Sequence, residues 1–147
     1  MRLSSMADYA IVLMSAASRH CGTARVSATD LAEETHLPLP TAQKLVSLLS
    51  KAGLLSATRG TGGGIRLTRP ASAISLADIV EAVEGPIALT ACIAESAPDC
   101  AIEAECRIRP HSGAVNDAVR GALANVSLSS LSAPEAAKAL PAQKVSA

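Results

Sequence analysis

Residues 40–68 read PTAQKLVSLLSKAGLLSATRGTGGGIRLT, and the change of period inside this stretch decides the fold. Leu45, Leu48, Leu49 and Ala52 recur at helical spacing, with Thr41, Gln43, Lys44, Ser47, Ser50 and Lys51 on the other face. Gly53 stands where a helix ends on a left-handed residue. The pattern then becomes a strand from Leu54 to Thr58, a turn over residues 59–64, and a returning strand from Ile65 to Thr68. This predicts a helix with a polar face followed by a two-stranded hairpin whose tip is rich in glycine.

Upstream, Ser4 or Ser5 caps a first helix in which Met6, Ala10, Leu13, Met14 and Ala17 keep helical spacing, ending near His20 to Gly22. Ser27 to Asp30 has the capping-box pattern and opens a short helix to about Thr35. Pro38 and Pro40 force a break before the next helix. Downstream, Ser75 to Asp78 is a second capping box, opening a helix closed by Gly85-Pro86. From about His111 a long helix carries Val115, Ala118, Val119, Ala122, Leu123 and Val126 on one face. The fold class is mainly α: a winged helix-turn-helix with a two-stranded wing, a cysteine-bearing loop and a long C-terminal helix. The expected divisions are a winged domain over 1–85, the loop over 86–110, the helix over 111–130 and a flexible tail over 131–147.

The chain has 147 residues, enough for one compact domain and a short appendage. Hydrophobic residues make up 49%, but there is no Trp, no Phe and one Tyr, Tyr9. The core must come from Ala, Leu, Val and Ile. Stacking on unpaired bases and aromatic cages for cations are excluded by the same count. No apolar run approaches a membrane span, and Met1 to Met14 lacks the features of a signal peptide, so a cytoplasmic protein with reduced thiols is expected.

The net charge is zero, but residues 1–75 carry eight Lys/Arg against four Asp/Glu, and residues 76–147 carry five against nine. Between Thr35 and Ala77 there is no acidic residue, while Lys44, Lys51, Arg59, Arg66 and Arg69 are basic. Such a window attracts polyanions. With the order helix, short helix, polar-faced helix and hairpin, it points to double-stranded DNA. Thr41, Gln43, Lys44 and Ser47 are placed to meet base edges in the major groove, and Arg59 to meet the backbone. Arg2, Ser27, Lys51, Thr61 and Gly62 complete the expected DNA-binding set. A phosphate-binding loop is excluded at Gly60 to Gly64, because Ile65-Arg66 follows where that motif needs Lys and then Ser or Thr.

Cys92, Cys100 and Cys106 lie within fifteen residues, in a loop between two helices. The paired C-x-x-C knuckles of structural zinc are absent, and the irregular spacing suits an iron–sulfur cluster. Three thiolates leave a fourth position open, to His111 or to an oxygen donor from elsewhere. Cys21 stands alone and is read as structural.

These residues together resemble the iron–sulfur winged-helix transcriptional regulators, the family that includes IscR, NsrR and RirA. The resemblance rests on Met1 to Ser4 with Asp8-Tyr9-Ala10, on Arg59-Gly60-x-Gly62-Gly63-Gly64, on Ile74 to Gly85 and on the three cysteines. Leu37 to Thr41 and Gly85 to Cys92 look most like the regulators of the SUF iron–sulfur cluster assembly system. The resemblance implies a homodimer joined through its last long helix, a near-palindromic operator, and repression of the SUF operon according to iron–sulfur status. It implies that Cys92, Cys100 and Cys106 hold a [2Fe–2S] or [4Fe–4S] cluster, with Asp8 of the partner subunit as fourth ligand and His111 as second choice. No Trp follows the third cysteine, and Gln43 stands where some relatives carry an acidic residue. The alternative reading is a thiol-disulfide or zinc-based regulator without a cluster. An enzyme built on a Cys106/His111 pair is not expected, since no orienting residue or oxyanion loop accompanies it.

Overall fold

The computed structural model describes residues 2–20, 22, 25–90, 92–93 and 105–133. Helix α1 spans Ser5–Arg19 and begins where the Ser4 hydroxyl accepts from the Ala7 N–H at 3.1 Å. Helix α2, Ala28–Thr35, opens on the expected capping box. There Ser27 Oγ accepts from the Asp30 N–H at 3.1 Å, and the Ser27 N–H donates to Asp30 Oδ2 at 2.8 Å. The chain leaves α2 through His36 at φ 56°, a left-handed turn that aims it into helix α3, Leu39–Lys51. Pro40 sits in the first turn of α3, where a missing N–H breaks no helical bond. Gly53, at φ 75°, turns the chain out of α3.

Strands β1 (Leu55–Thr58) and β2 (Gly64–Leu67) pair antiparallel, with Leu55 opposite Leu67 and Thr58 opposite Gly64. The Ile65 N–H also donates to the Val26 carbonyl at 2.8 Å, so the segment leading into α2 lies along the other edge of β2. A short 3-10 turn at Ala71–Ala73 leads to helix α4, Leu76–Glu84, which opens on the second capping box and ends at Gly85. Helix α5 spans Arg109–Ala124 and α6 spans Leu128–Ser132. The class is the expected one: mainly helical, with a two-stranded wing.

The core forms around α1, whose Ala7, Ala10, Leu13, Met14 and Ala16 are fully buried. Alanines on this face let α2, α4 and α6 approach closely, and Leu31, Leu45, Leu49, Ile74, Ile79 and Leu128 fill the space between. Among the described residues, no helix is long and apolar enough to cross a membrane.

Two expectations need correction. The buried stripe of α3 is Ala42, Leu45, Val46 and Leu49; Leu48 is half-buried and Ala52 is exposed. The helical pitch puts residues 42, 45, 46 and 49 on one side, while Ala52 caps the end beyond the last turn. The single helix expected over 111–130 is in fact two. α5 stops at Ala124 because the next residues bond elsewhere: the Leu76 N–H donates to Val126 O and the Leu128 N–H to Ile74 O, each at 2.8 Å. Leu131 and Ser132, placed at the start of the tail, belong to α6. The Ser18 hydroxyl donates to Ser132 Oγ at 2.6 Å, tying α6 to α1. Residues 134–147 of the expected tail lie outside the described residues.

Leu128 is fully buried, so Leu128→Ala should cost about 2–5 kcal/mol in urea unfolding, the range for deleting a buried leucine. A loss below about 1 kcal/mol would contradict the docking of α6.

Candidate nucleic-acid interface and thiol strap

On α3, Gln43, Lys44, Ser47 and Lys51 are exposed, whereas Thr41 is half-buried. The exposed four follow from the burial of Ala42, Leu45, Val46 and Leu49, which turns the other side of the helix outward. Arg59 and Thr61 are exposed on the hairpin and Gly62 is half-buried. Gly63 is needed for a close approach: a Cβ there would stand 2.1 Å from the Thr58 carbonyl oxygen. Ser27 and the hairpin are brought together, lining one cleft of about 370 Å³ with Thr58, Gly60, Gly63 and Gly64. The N-terminus of α2, with its positive dipole end, therefore faces the same cleft as the wing. Arg2 is placed elsewhere, lining a cleft with Leu3, Val80, Glu84 and Leu123 between α1, α4 and α5.

Arg25 is a residue that the sequence reading missed. A Cβ on Gly62 would lie 3.5 Å from the Arg25 guanidinium, so this side chain runs along the wing toward its glycine tip. It also borders a groove of about 580 Å³ that includes His20, Arg66 and Arg69. Its signal was the pairing of Val26 with β2, which periodicity over a single residue does not reveal.

The loop after α4 crosses to α5 as a strap, of which residues 86–90 and 92–93 are described. Cys92 is half-buried, with Thr90 Oγ1 3.2 Å from its sulfur. The Thr90 hydroxyl, helped by the Ser112 hydroxyl and the Arg109 charge, holds the Cys92 thiol below the ordinary thiol range against the opposing effect of desolvation. Cys106 is half-buried three residues before α5 begins. Cys92 thus approaches the positive end of α5, a setting that favours its thiolate, and Cys106 precedes the same helix in the chain. Cys100 and Cys21 lie outside the described residues. Among the described residues no three metal-ligating side chains gather. Asp8 is exposed in the first turn of α1, and His111 is exposed in the first turn of α5. Soft thiolate donors at a helix N-terminus fit the chemistry of an iron–sulfur cluster.

The hairpin, the polar-faced helix before it and the strap behind it define a winged-helix protein with a thiol-bearing insertion. The chain belongs to the Rrf2 family, described as iron-dependent transcriptional regulators, whose model matches residues 3–134. It is 38% identical over 86 residues to an HTH-type transcriptional regulator IscR of Cereibacter sphaeroides, covering 57% of this chain and 56% of that one. It is 30% identical over 131 residues to the IscR of Photobacterium profundum, covering 89% of this chain and 75% of the relative. The chain therefore spans little more than half the length of the first relative and three quarters of the second. Among solved structures it resembles T. potens IscR, with a TM-score of 0.69 and 25% identity, covering 95% of this chain and 93% of the other. It also resembles CymR, the global cysteine regulator of B. subtilis, with a TM-score of 0.67 and 29% identity over 90% of this chain and 96% of that one.

The thiol geometry gives a direct check. Thr90→Val removes the hydroxyl that does most to lower the Cys92 pKa, so the midpoint of its alkylation pH profile should move up. A midpoint that stays put under mass-spectrometric readout would exclude the Thr90 contact.

Proposed function

We propose that this chain is a DNA-binding transcriptional regulator that represses the SUF iron–sulfur cluster assembly operon and senses iron–sulfur status through a bound cluster. The observation that carries this reading is the junction of two surfaces in one small fold. The exposed polar face of α3 and the wing fit duplex DNA, while the strap carries Cys92 and Cys106 stands three residues before α5. The SUF target rests on the likeness of Leu37 to Thr41 and Gly85 to Cys92 to regulators of that system.

In this reading Gln43, Lys44 and Ser47 meet base edges, with Thr41 at the start of the helix, and Lys51, Arg59, Thr61 and Gly62 meet the backbone. Ser27 offers the α2 N-terminus to a phosphate, Arg25 joins the wing contacts, and Arg2 serves at the edge of the footprint. Residues 1–85 read DNA and residues 86–110 hold the cluster. Cys92, Cys100 and Cys106 are its ligands, with Asp8 of the partner subunit as the fourth and His111 as second choice. When bound, the cluster supplies a centre sensitive to iron supply and oxidation.

A homodimer is supported by the apolar face of α5. Val115 is 56% exposed, Ala118 and Ala122 are exposed, and Val119 and Leu123 are only half-buried. A contiguous exposed apolar face of this kind marks an interaction surface. Two α5 helices joined there set the spacing of the two α3 helices, which must match half-sites about one duplex turn apart. Cluster gain or loss that alters this spacing shifts operator affinity by roughly 5- to 150-fold, the usual range of allosteric coupling. The likeness to a cysteine regulator favours a second reading, in which the same thiols respond by disulfide formation or zinc binding without a cluster.

Two variants test these assignments. Cys100→Ala should abolish the visible chromophore of anaerobically purified protein; a stoichiometric iron–sulfur spectrum that survives would remove Cys100 from the ligand set. Arg59→Ala should weaken binding to all duplex sequences alike and reduce the salt slope of log K by about 0.9. An unchanged slope would contradict its phosphate role.

A further inference from the structure

The only polar residues buried among the described ones, Ser112 and Asn116, are both on α5. They stand four apart, and Arg120 follows at the same interval, so the three share one side of the helix. Each meets the strap or α4. Ser112 lies near enough to Cys92 for its hydroxyl to help hold the thiol below its ordinary range. Asn116 is 6% exposed; its Oδ1 accepts from the Leu89 N–H at 3.0 Å and its Nδ2 donates to the Ile87 carbonyl at 2.9 Å. Arg120 forms a two-point ion pair with Glu81 of α4, at 2.8 and 3.0 Å, and Glu81 Oε1 also accepts from the Ile87 N–H at 3.3 Å.

We propose that Asn116 is a positioning residue: its amide fixes the register of the strap on α5, and so sets where Cys92 is presented. The inference deepens the proposed function, because it concerns the loop assigned there to the cluster. The physical case is one of matched valence. A loop segment with no sheet partner must find other partners for its N–H and C=O groups. One amide side chain satisfies an acceptor and a donor two residues apart, at Ile87 and Leu89, as a neighbouring strand would. A shift of the strap by one residue would present the opposite groups to Asn116 and leave a buried amide unsatisfied. Glu81 reinforces the same register by accepting from Ile87, and its pairing with Arg120 joins strap, α4 and α5 at one carboxylate. α4 in turn packs against both α1 and the recognition helix α3.

The test uses the full-length apo protein and backbone hydrogen exchange. Asn116→Ala should speed exchange at the Leu89 amide by about 5- to 150-fold, the range for a lost buried hydrogen bond. Exchange within α1 and α3 should stay within about twofold of wild type, as expected for distant sites. Asn116→Asp keeps an acceptor for the Leu89 N–H but loses the donor to Ile87, so Leu89 should stay protected; this variant carries the test if the alanine form does not fold. A second readout follows the chromophore after anaerobic reconstitution with iron and sulfide: Asn116→Ala should lose it to a chelator about tenfold faster than wild type. Unchanged Leu89 exchange in the alanine variant, or acceleration spread equally over every helix, would overturn the proposal. A wild type that forms no chromophore would defeat the cluster reading while the exchange result still decides the role of Asn116.

Discussion

Close packing around α1 is the constraint on which the rest of the molecule depends. A core without Trp or Phe cannot span wide gaps, so its helices must touch. Ala7, Ala10 and Ala16 bring neighbouring backbones near, and Leu13 and Met14 supply the bulk. This arrangement packs α2, α4 and α6 against α1, with α3 held against α2 and α4. The surfaces of α3 and the wing are outer faces of elements whose inner faces are packed in this core. The polar side of α3 is exposed because Leu45 and Leu49 are held inside. α5 has little share in that core; its contacts run to α4 and the strap.

The two functional surfaces differ in kind. The wing and α3 offer backbone curvature, glycine clearance and exposed cations, which suit a large polyanion. The strap offers a satisfied polar network around a thiol held toward its ionised form. Such networks define one geometry closely, because each member left without a partner in a low-dielectric site is costly. A regulator needs both properties: a surface that meets its ligand broadly, and a sensor whose state changes discretely. Glu81 lies where they meet, since it belongs to the helix behind α3 and accepts from the strap.

Much of this was legible in the sequence where local chemistry decides structure. Ser27/Asp30 and Ser75/Asp78 start helices through bonds three residues apart, and these two capping boxes are present as read. The wing glycines announced a hairpin because they tolerate the positive φ found at Gly60 and Gly62. What escaped depends on long-range pairing. The break between α5 and α6 comes from bonds between residues 74–76 and 126–128, which no local period encodes. Arg25 joined the wing through one bridge between Val26 and Ile65. Asn116 was hidden by its own helix: the apolar stripe runs through Val115, which is exposed, and Val119, which is half-buried, while the buried positions are polar. Burial at Ser112 and Asn116 follows from the strap crossing them, a tertiary event invisible to hydrophobic periodicity.

The most direct test of the central claim is operator affinity measured on one anaerobic preparation, first with iron and sulfide bound and then after chelation, at fixed salt. The account predicts a chromophore with broad absorbance near roughly 400 nm and an affinity that changes by at least about fivefold when it is removed. An equal affinity in both forms, or a colourless protein that resists reconstitution and responds instead to thiol oxidation or zinc, would contradict it.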